Sequence, residues 1–195
     1  LGPLLGPAVQ AAASVTRAAD IPLIGYSTDR SVAGNNVYLL SFLPEAEIER
    51  IIAFAASRGY SKFAAMIPET PYGETILPYF GQTALAWHSE VIDIQVYQPD
   101  TSQLFDPVKA LANYDHRHQE LLNEKSFLES FGEDDFAHEI LSSLEKIETL
   151  GEVEFDAVLL PEGAALLRAM APLFPYYDAD PDKIKFLGTG LWNDL

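Results

Sequence analysis

Cysteine is absent from the 195-residue chain. That excludes a disulfide scaffold and any thiolate metal site, and leaves the compartment open. Basic residues are scarce: 12 Lys and Arg stand against 29 Asp and Glu, a formal charge of −17. Phosphate-rich partners need cationic patches, so this balance argues against nucleic acid and anionic membrane. It favours small molecules or basic protein surfaces. No apolar run approaches the roughly 20 residues of a membrane span. The sequence also lacks a phosphate loop ending in Gly-Lys-Ser/Thr, a Gly-x-Ser-x-Gly elbow and a His-Glu-x-x-His helix. No secretory leader is visible. The chain opens at Leu1 in mid-pattern rather than on Met, so an upstream segment is expected.

What is present reads as a globular chain, 48% hydrophobic and 21% charged, long enough for a sizeable core. Leu1–Leu5 reads as the end of a strand, and Gly6-Pro7 opens an Ala-rich helix over Ala8–Ala19. Leu23-Ile24 and Val37–Phe42 read as short strands around a polar loop. Glu45–Arg58 shows the clearest helical pattern, with Ile48, Ile51, Ile52, Ala55 and Ala56 on one face and Gly59 as its left-handed stop. Lys62–Glu74 (KFAAMIPETPYGE) follows: a buried apolar run halts at Pro68 and a polar loop leads into a helix to about His88. In that helix Ile76, Phe80, Ala84 and Trp87 are in phase, and Pro78 is expected to kink or restart it.

Val91–Tyr97 alternates as a half-exposed strand near a sheet edge. Asp115–Glu154 then holds twelve acids against three bases, a net charge of −9. It reads as an acidic helical insertion of two amphipathic helices broken near Gly132. Phe155–Leu160 and Lys183–Leu187 are further strands, separated by a helix over Ala164–Phe174. Strands alternating with helices predict an α/β fold with parallel sheets and right-handed crossovers.

Several candidate sites dissolve under their own spacing. Gly188-Thr189-Gly190 lacks the third glycine of a dinucleotide fingerprint and reads as a tight turn. His116, His118 and His138 with Glu120 and Glu139 read as solvated helix faces, and Glu133-Asp134-Asp135 lacks the ligand spacing of a calcium loop. No metal or other cofactor is implied. By contrast, Gly6, Tyr26, Ser27, Thr28, Tyr72, Glu162 and Thr189 all fall at the carboxyl ends of expected strands. Ligands of open α/β sheets sit outside such ends. Hydroxyls and ring faces orient a ligand without supplying a base matched to a nucleophile, so these residues point to binding rather than catalysis.

In order along the chain, GPLLGPAVQAAA, IPLIGYSTD, KFAAMIPETPYGE, FDAVLLPEG and FLGTGLWND resemble the type I periplasmic solute-binding proteins of the leucine/isoleucine/valine-binding group. Within that group the combination of YSTD with LGTGLWND is most similar to bacterial penicillin-binding protein activator lipoproteins. The resemblance covers nearly the whole chain. It implies a fragment of a two-lobed protein with Rossmann-like lobes. Residues 1–44 would belong to the first lobe and 45–195 to the crossover and second lobe, with the acidic insertion at about 101–154. In amino-acid-binding relatives, groups at the positions of Gly6, Ser27 and Thr28 hold the ligand carboxylate, and a tyrosine at the position of Tyr72 packs over it. An acid near Gly190 takes the ammonium. This chain has glycine there, and an ammonium would go unpaired unless Glu162 receives it.

The resemblance therefore implies a non-catalytic periplasmic protein, lipid-anchored through a preceding segment, that binds an amino acid, peptide or cell-wall fragment. A transporter membrane subunit would be its partner. The alternative function is a regulator of peptidoglycan synthesis that contacts a peptidoglycan synthase.

Overall fold

The computed structural model describes residues 2–132 and 134–193. Leu1, Glu133, Asp194 and Leu195 lie outside the described residues, and with them one end of the expected first strand, part of the Glu133-Asp134-Asp135 run and the close of FLGTGLWND. The chain forms two compact units, residues 1–50 and 51–195.

In the first unit, helix α1 (Gly6–Ala18) begins with proline in its first turn, where the missing N–H costs nothing. Strand β1 (Leu23–Gly25) pairs in parallel with β2 (Val37–Leu39), with Leu23 opposite Val37 and Gly25 opposite Leu39. Of the strand expected at Leu1–Leu5, the described residues 2–5 do not form a regular strand. Gly2 N–H nevertheless donates to Ile24 O at 3.1 Å, and Tyr26 N–H to Pro3 O at 3.0 Å, so the backbone lies along β1. β2 is shorter than the apolar run Val37–Phe42, and Phe42 is exposed. Val9, Ala13, Leu23, Val32 and Val37 make the small core.

Helix α2 (Pro44–Ser57) runs across the boundary. Ile48, Ile52 and Ala55 are buried as its periodicity requires, and Gly59 (φ +97) takes the left-handed stop.

The second unit is a parallel four-stranded sheet in the order β4-β3-β5-β6. Its strands are β3 (Lys62–Pro68), β4 (Glu90–Tyr97), β5 (Ala157–Leu159) and β6 (Lys185–Leu187). β3 is central and buried from Phe63 to Pro68. β4 is an edge strand and half-exposed, which fits its alternation. The connecting helices are α3 (Pro71–Ala86), α4 (Phe105–Leu111), α5 (Tyr114–Glu129), α6 (Asp135–Leu144), α7 (Ala164–Met170) and α8 (Leu173–Tyr176).

Four local expectations change. α3 runs unbroken through Pro78. It ends before Trp87, which is exposed instead of completing the core face. The helix expected over Ala164–Phe174 breaks into α7 and α8 at Pro172, which has no N–H to continue the ladder. α5 buries Leu121 and Leu128 but leaves Leu122 and Phe127 in water, so it is not the amphipathic helix its composition promised.

The main core joins Ala64 and Met66 of β3 to Leu104, Val108 and Leu111 around α4, Val158 of β5, and Met170 and Phe174. The base of the α5–α6 hairpin is fixed to this core by Arg117, a guanidinium 5% exposed. It donates to the carbonyls of Ala112 (3.2 Å), Gly151 (2.8 Å) and Asp178 (3.0 Å), joining three segments far apart in sequence.

Candidate functional site

The four strands of the second unit end at Pro68, Tyr97, Leu159 and Leu187, and the turns that follow bring Tyr72, Glu162 and Thr189 to one end of the sheet. Tyr72 lies in the first turn of α3. That turn is seated tightly on β3: a Cβ on Gly73 would stand 2.0 Å from Pro68 O. Thr70 caps the helix, its hydroxyl oxygen accepting from Gly73 N–H at 3.2 Å. Proline after the cap and glycine at the close approach are thus what place the tyrosine.

Tyr72 is half-buried, and its hydroxyl donates to Thr189 Oγ1 at 3.4 Å, linking the ends of β3 and β6. Thr189 is buried, and its hydroxyl oxygen also accepts from Leu191 N–H at 3.4 Å. Gly188 is required here by contact, since a Cβ would come within 2.2 Å of the Trp192 ring. Trp192 in turn donates through Nε1 to Leu160 O at 2.9 Å, which ties the turn after β6 to the end of β5.

A further polar contact at this end involves a residue that sequence reading did not single out. Tyr97, the last residue of β4, is only 2% exposed, and its hydroxyl donates to Glu162 Oε1 at 2.6 Å. Burial, and then the neighbouring Glu162 carboxylate, push the Tyr97 hydroxyl well above the ordinary tyrosine range. It therefore remains a protonated donor. Glu162 is half-buried just before α7. Glu69, following β3, accepts from the Gln98 side-chain amide. The sequence signal for Tyr97 was its place as the final residue of a strand. Its solvent-side alternation concealed it.

Gly6, Tyr26, Ser27 and Thr28 belong to the first unit. Gly6 opens α1 and is buried against the loop after β1: a Cβ on it would meet Asp29 Oδ2 at 2.9 Å and Ser27 Oγ at 3.5 Å. Ser27 is buried, its Oγ accepting from Asp29 N–H (3.1 Å) and its carbonyl accepting from the Ser41 hydroxyl (2.7 Å). Tyr26 is half-buried and Thr28 exposed. Within the first unit, then, Gly6 and Ser27 are brought together. Within the second, Tyr72 and Thr189 meet, and Glu162 is held by Tyr97.

Hydroxyls, carboxylates and aromatic rings can orient a polar small molecule here. Among the described contacts none pairs a nucleophile with a base. Among the described residues no group of three or more His, Asp or Glu side chains is placed to hold a metal. A cavity of about 510 Å³ exists in the second unit, but at the opposite, amino ends of β5 and β6, where Arg117, Thr149, Asp178 and Lys183 line it.

No protein-family model matches the sequence, and no curated protein matches it. Solved structures do match. An ABC transporter substrate-binding protein from Desulfitobacterium hafniense in complex with Leu superposes with TM-score 0.57 and 11% identity, covering 98% of this chain and 46% of that one. A branched chain amino acid ABC transporter periplasmic ligand-binding protein from Burkholderia xenovorans gives TM-score 0.56 and 9% identity, over 96% and 41%. A solute binding protein of an ABC transporter from Rhodopseudomonas palustris, in complex with p-hydroxybenzoic acid, gives TM-score 0.52 and 14% identity, over 97% and 42%. At such identities the likeness establishes the fold alone: an α/β fold of parallel sheets flanked by helices. The chain spans less than half the length of these structures.

Proposed function

We propose that this chain is the ligand-holding part of a non-catalytic solute-binding protein of the periplasm. It takes a small polar molecule at the carboxyl ends of β3, β4, β5 and β6. The observation that carries the reading is the pair of contacts Tyr72–Thr189 and Tyr97–Glu162 at that end of the sheet. The likeness in fold to proteins holding Leu and p-hydroxybenzoic acid supports a binding role.

Charge sets the ligand class. Among the described residues, Glu69 and Glu162 are the charged side chains in the strand-end contacts, so an amine-bearing ligand is favoured over a benzoate. An amino acid, a small peptide or a cell-wall peptide fragment meets that requirement. In the first unit, Gly6, Tyr26, Ser27 and Thr28 are the proposed ligand contacts. A transporter membrane subunit is the proposed partner. The reading as a penicillin-binding protein activator, with a lipid anchor, rests on sequence motifs alone, and no relative or structural neighbour favours it.

Calorimetry tests the proposal on the longest natural form of the protein, with leucine, stem-peptide fragments and p-hydroxybenzoate as titrants. Heat is expected from an amine-bearing titrant and not from the benzoate. Glu162→Gln should weaken that binding by about tenfold or more, the loss expected for one charged contact. Absence of heat across the panel would sink the proposal.

A further inference from the structure

The α5–α6 hairpin of the second unit ends in phenylalanines that the fold does not use. Phe127 is 59% exposed, Phe131 55% and Phe136 71%. Phe127 and Phe131 meet edge to face with ring centroids 5.0 Å apart. The buried residues of the two helices are Arg117, Leu121, Leu128 and Ala137, so the three rings are surplus to their packing.

The described residues on either side of the break between the two helices shape their ends. Gly132 takes φ +66 after α5, and the Asp134 carboxylate accepts from Phe136 N–H and Ala137 N–H, both at 3.0 Å, to start α6. Large apolar groups gathered in water, two of them already in ring contact, mark an interaction surface.

The charge around the rings selects the occupant. Residues 127–139 contain five acids and no Lys or Arg. A second copy of a chain carrying −17 would be repelled, as would an anionic bilayer. The complement is an apolar face bordered by Lys or Arg on another protein, where aromatic anchors are buried and the acids pair at the rim. We propose that Phe127, Phe131 and Phe136, with the acids around them, form a docking tip for a protein partner of that description. The tip is separate from the strand-end residues and does not depend on the solute reading.

The test uses a defined probe: a synthetic amphipathic helix of Leu and Lys, fluorescently labelled, against the whole chain. Its counterpart of Leu and Glu is the control. Anisotropy should report binding of the basic helix and none of the acidic one, weakening as salt rises. The variant Phe127→Ser/Phe131→Ser/Phe136→Ser keeps every charge and should weaken binding by about tenfold or more, as loss of anchor residues does. Leu85→Ser, an exposed apolar site on α3, should leave it unchanged. Circular dichroism and thermal melting confirm folding, and Phe136→Ser alone serves if the triple variant melts early. Equal binding by the triple variant would show only general attraction to an acidic protein and would overturn the proposal. So would a dimer in sedimentation that the triple variant abolishes, or tip-dependent binding to phosphatidylcholine vesicles.

Discussion

The Tyr97 hydroxyl donates to Glu162 across the end of β3, tying the edge strand β4 to the turn after β5 at 2.6 Å. Tyr97→Phe removes a donor to a charged acceptor and should cost about 1–2 kcal/mol in denaturant unfolding. Paired with Glu162→Gln in a double-mutant cycle, the two losses should be less than additive. Strict additivity would show that the bond contributes nothing.

Alkali gives the same bond a second signature. The folded-state pKa of Tyr97 is raised above its unfolded value of about 10 by burial and by Glu162. The native state therefore holds this proton more tightly than the unfolded state. The associated stability is fully present below pH ~10 and is lost as pH rises beyond it. Tyr114 and Tyr177 are raised too, both chiefly by burial, so they add to the same trend. Stability measured by urea unfolding should fall from about pH 10 upward, and less steeply in Tyr97→Phe. An identical slope in the variant would contradict the assignment.

Gly73→Ala should be costly. Its Cβ would meet backbone, Pro68 O at 2.0 Å, which cannot rotate away, so the first turn of α3 must move. A loss of about 3 kcal/mol is expected, the upper part of the overpacking range. Tyr72 would move with the turn, so ligand binding should weaken along with stability. A variant as stable as the parent would mean that the strand-to-helix turn is not seated as described.

Gly188→Ala should displace the Trp192 ring, which lies 2.2 Å from the added Cβ, and break the Trp192–Leu160 bond. In a Trp87→Phe background the remaining tryptophan emission should shift to the red, with about 1–3 kcal/mol of lost stability. Unchanged emission would place Trp192 elsewhere.

Arg117→Ala leaves three backbone carbonyls without their guanidinium donor. Unfolding free energy should drop by about 3 kcal/mol, and amide exchange should accelerate first in the α5–α6 hairpin. Exchange that speeds up uniformly across the second unit would argue that the residue does not anchor the hairpin specifically.

Much of this molecule could be read from local pattern. The unbroken apolar run Phe63–Ile67 marked a central strand because both of its faces are buried. The Ile48–Ala55 spacing marked α2 because one face of a 3.6-residue period must be covered. The Pro-Tyr-Gly turn placed Tyr72 at a strand end, since proline and glycine constrain the backbone wherever they occur.

Other features needed the tertiary structure. Tyr97 looked like the tail of an edge strand and became a buried donor because β4 is adjacent to β3, with β5 beyond it. Trp87 and Trp192 are both aromatic residues near an element's end. One is left in water, while the other is fixed by the Leu160 carbonyl of another segment and packs on Gly188 of its own turn. The sequence by itself determined most of the elements and which of their ends carry hydroxyls and carboxylates, because periodicity and turn chemistry act over a few residues. Only the tertiary structure decided that Tyr97 holds Glu162 and that Tyr72 reaches Thr189. Those pairings join residues 65 and 117 positions apart, and they follow from the order in which strands meet.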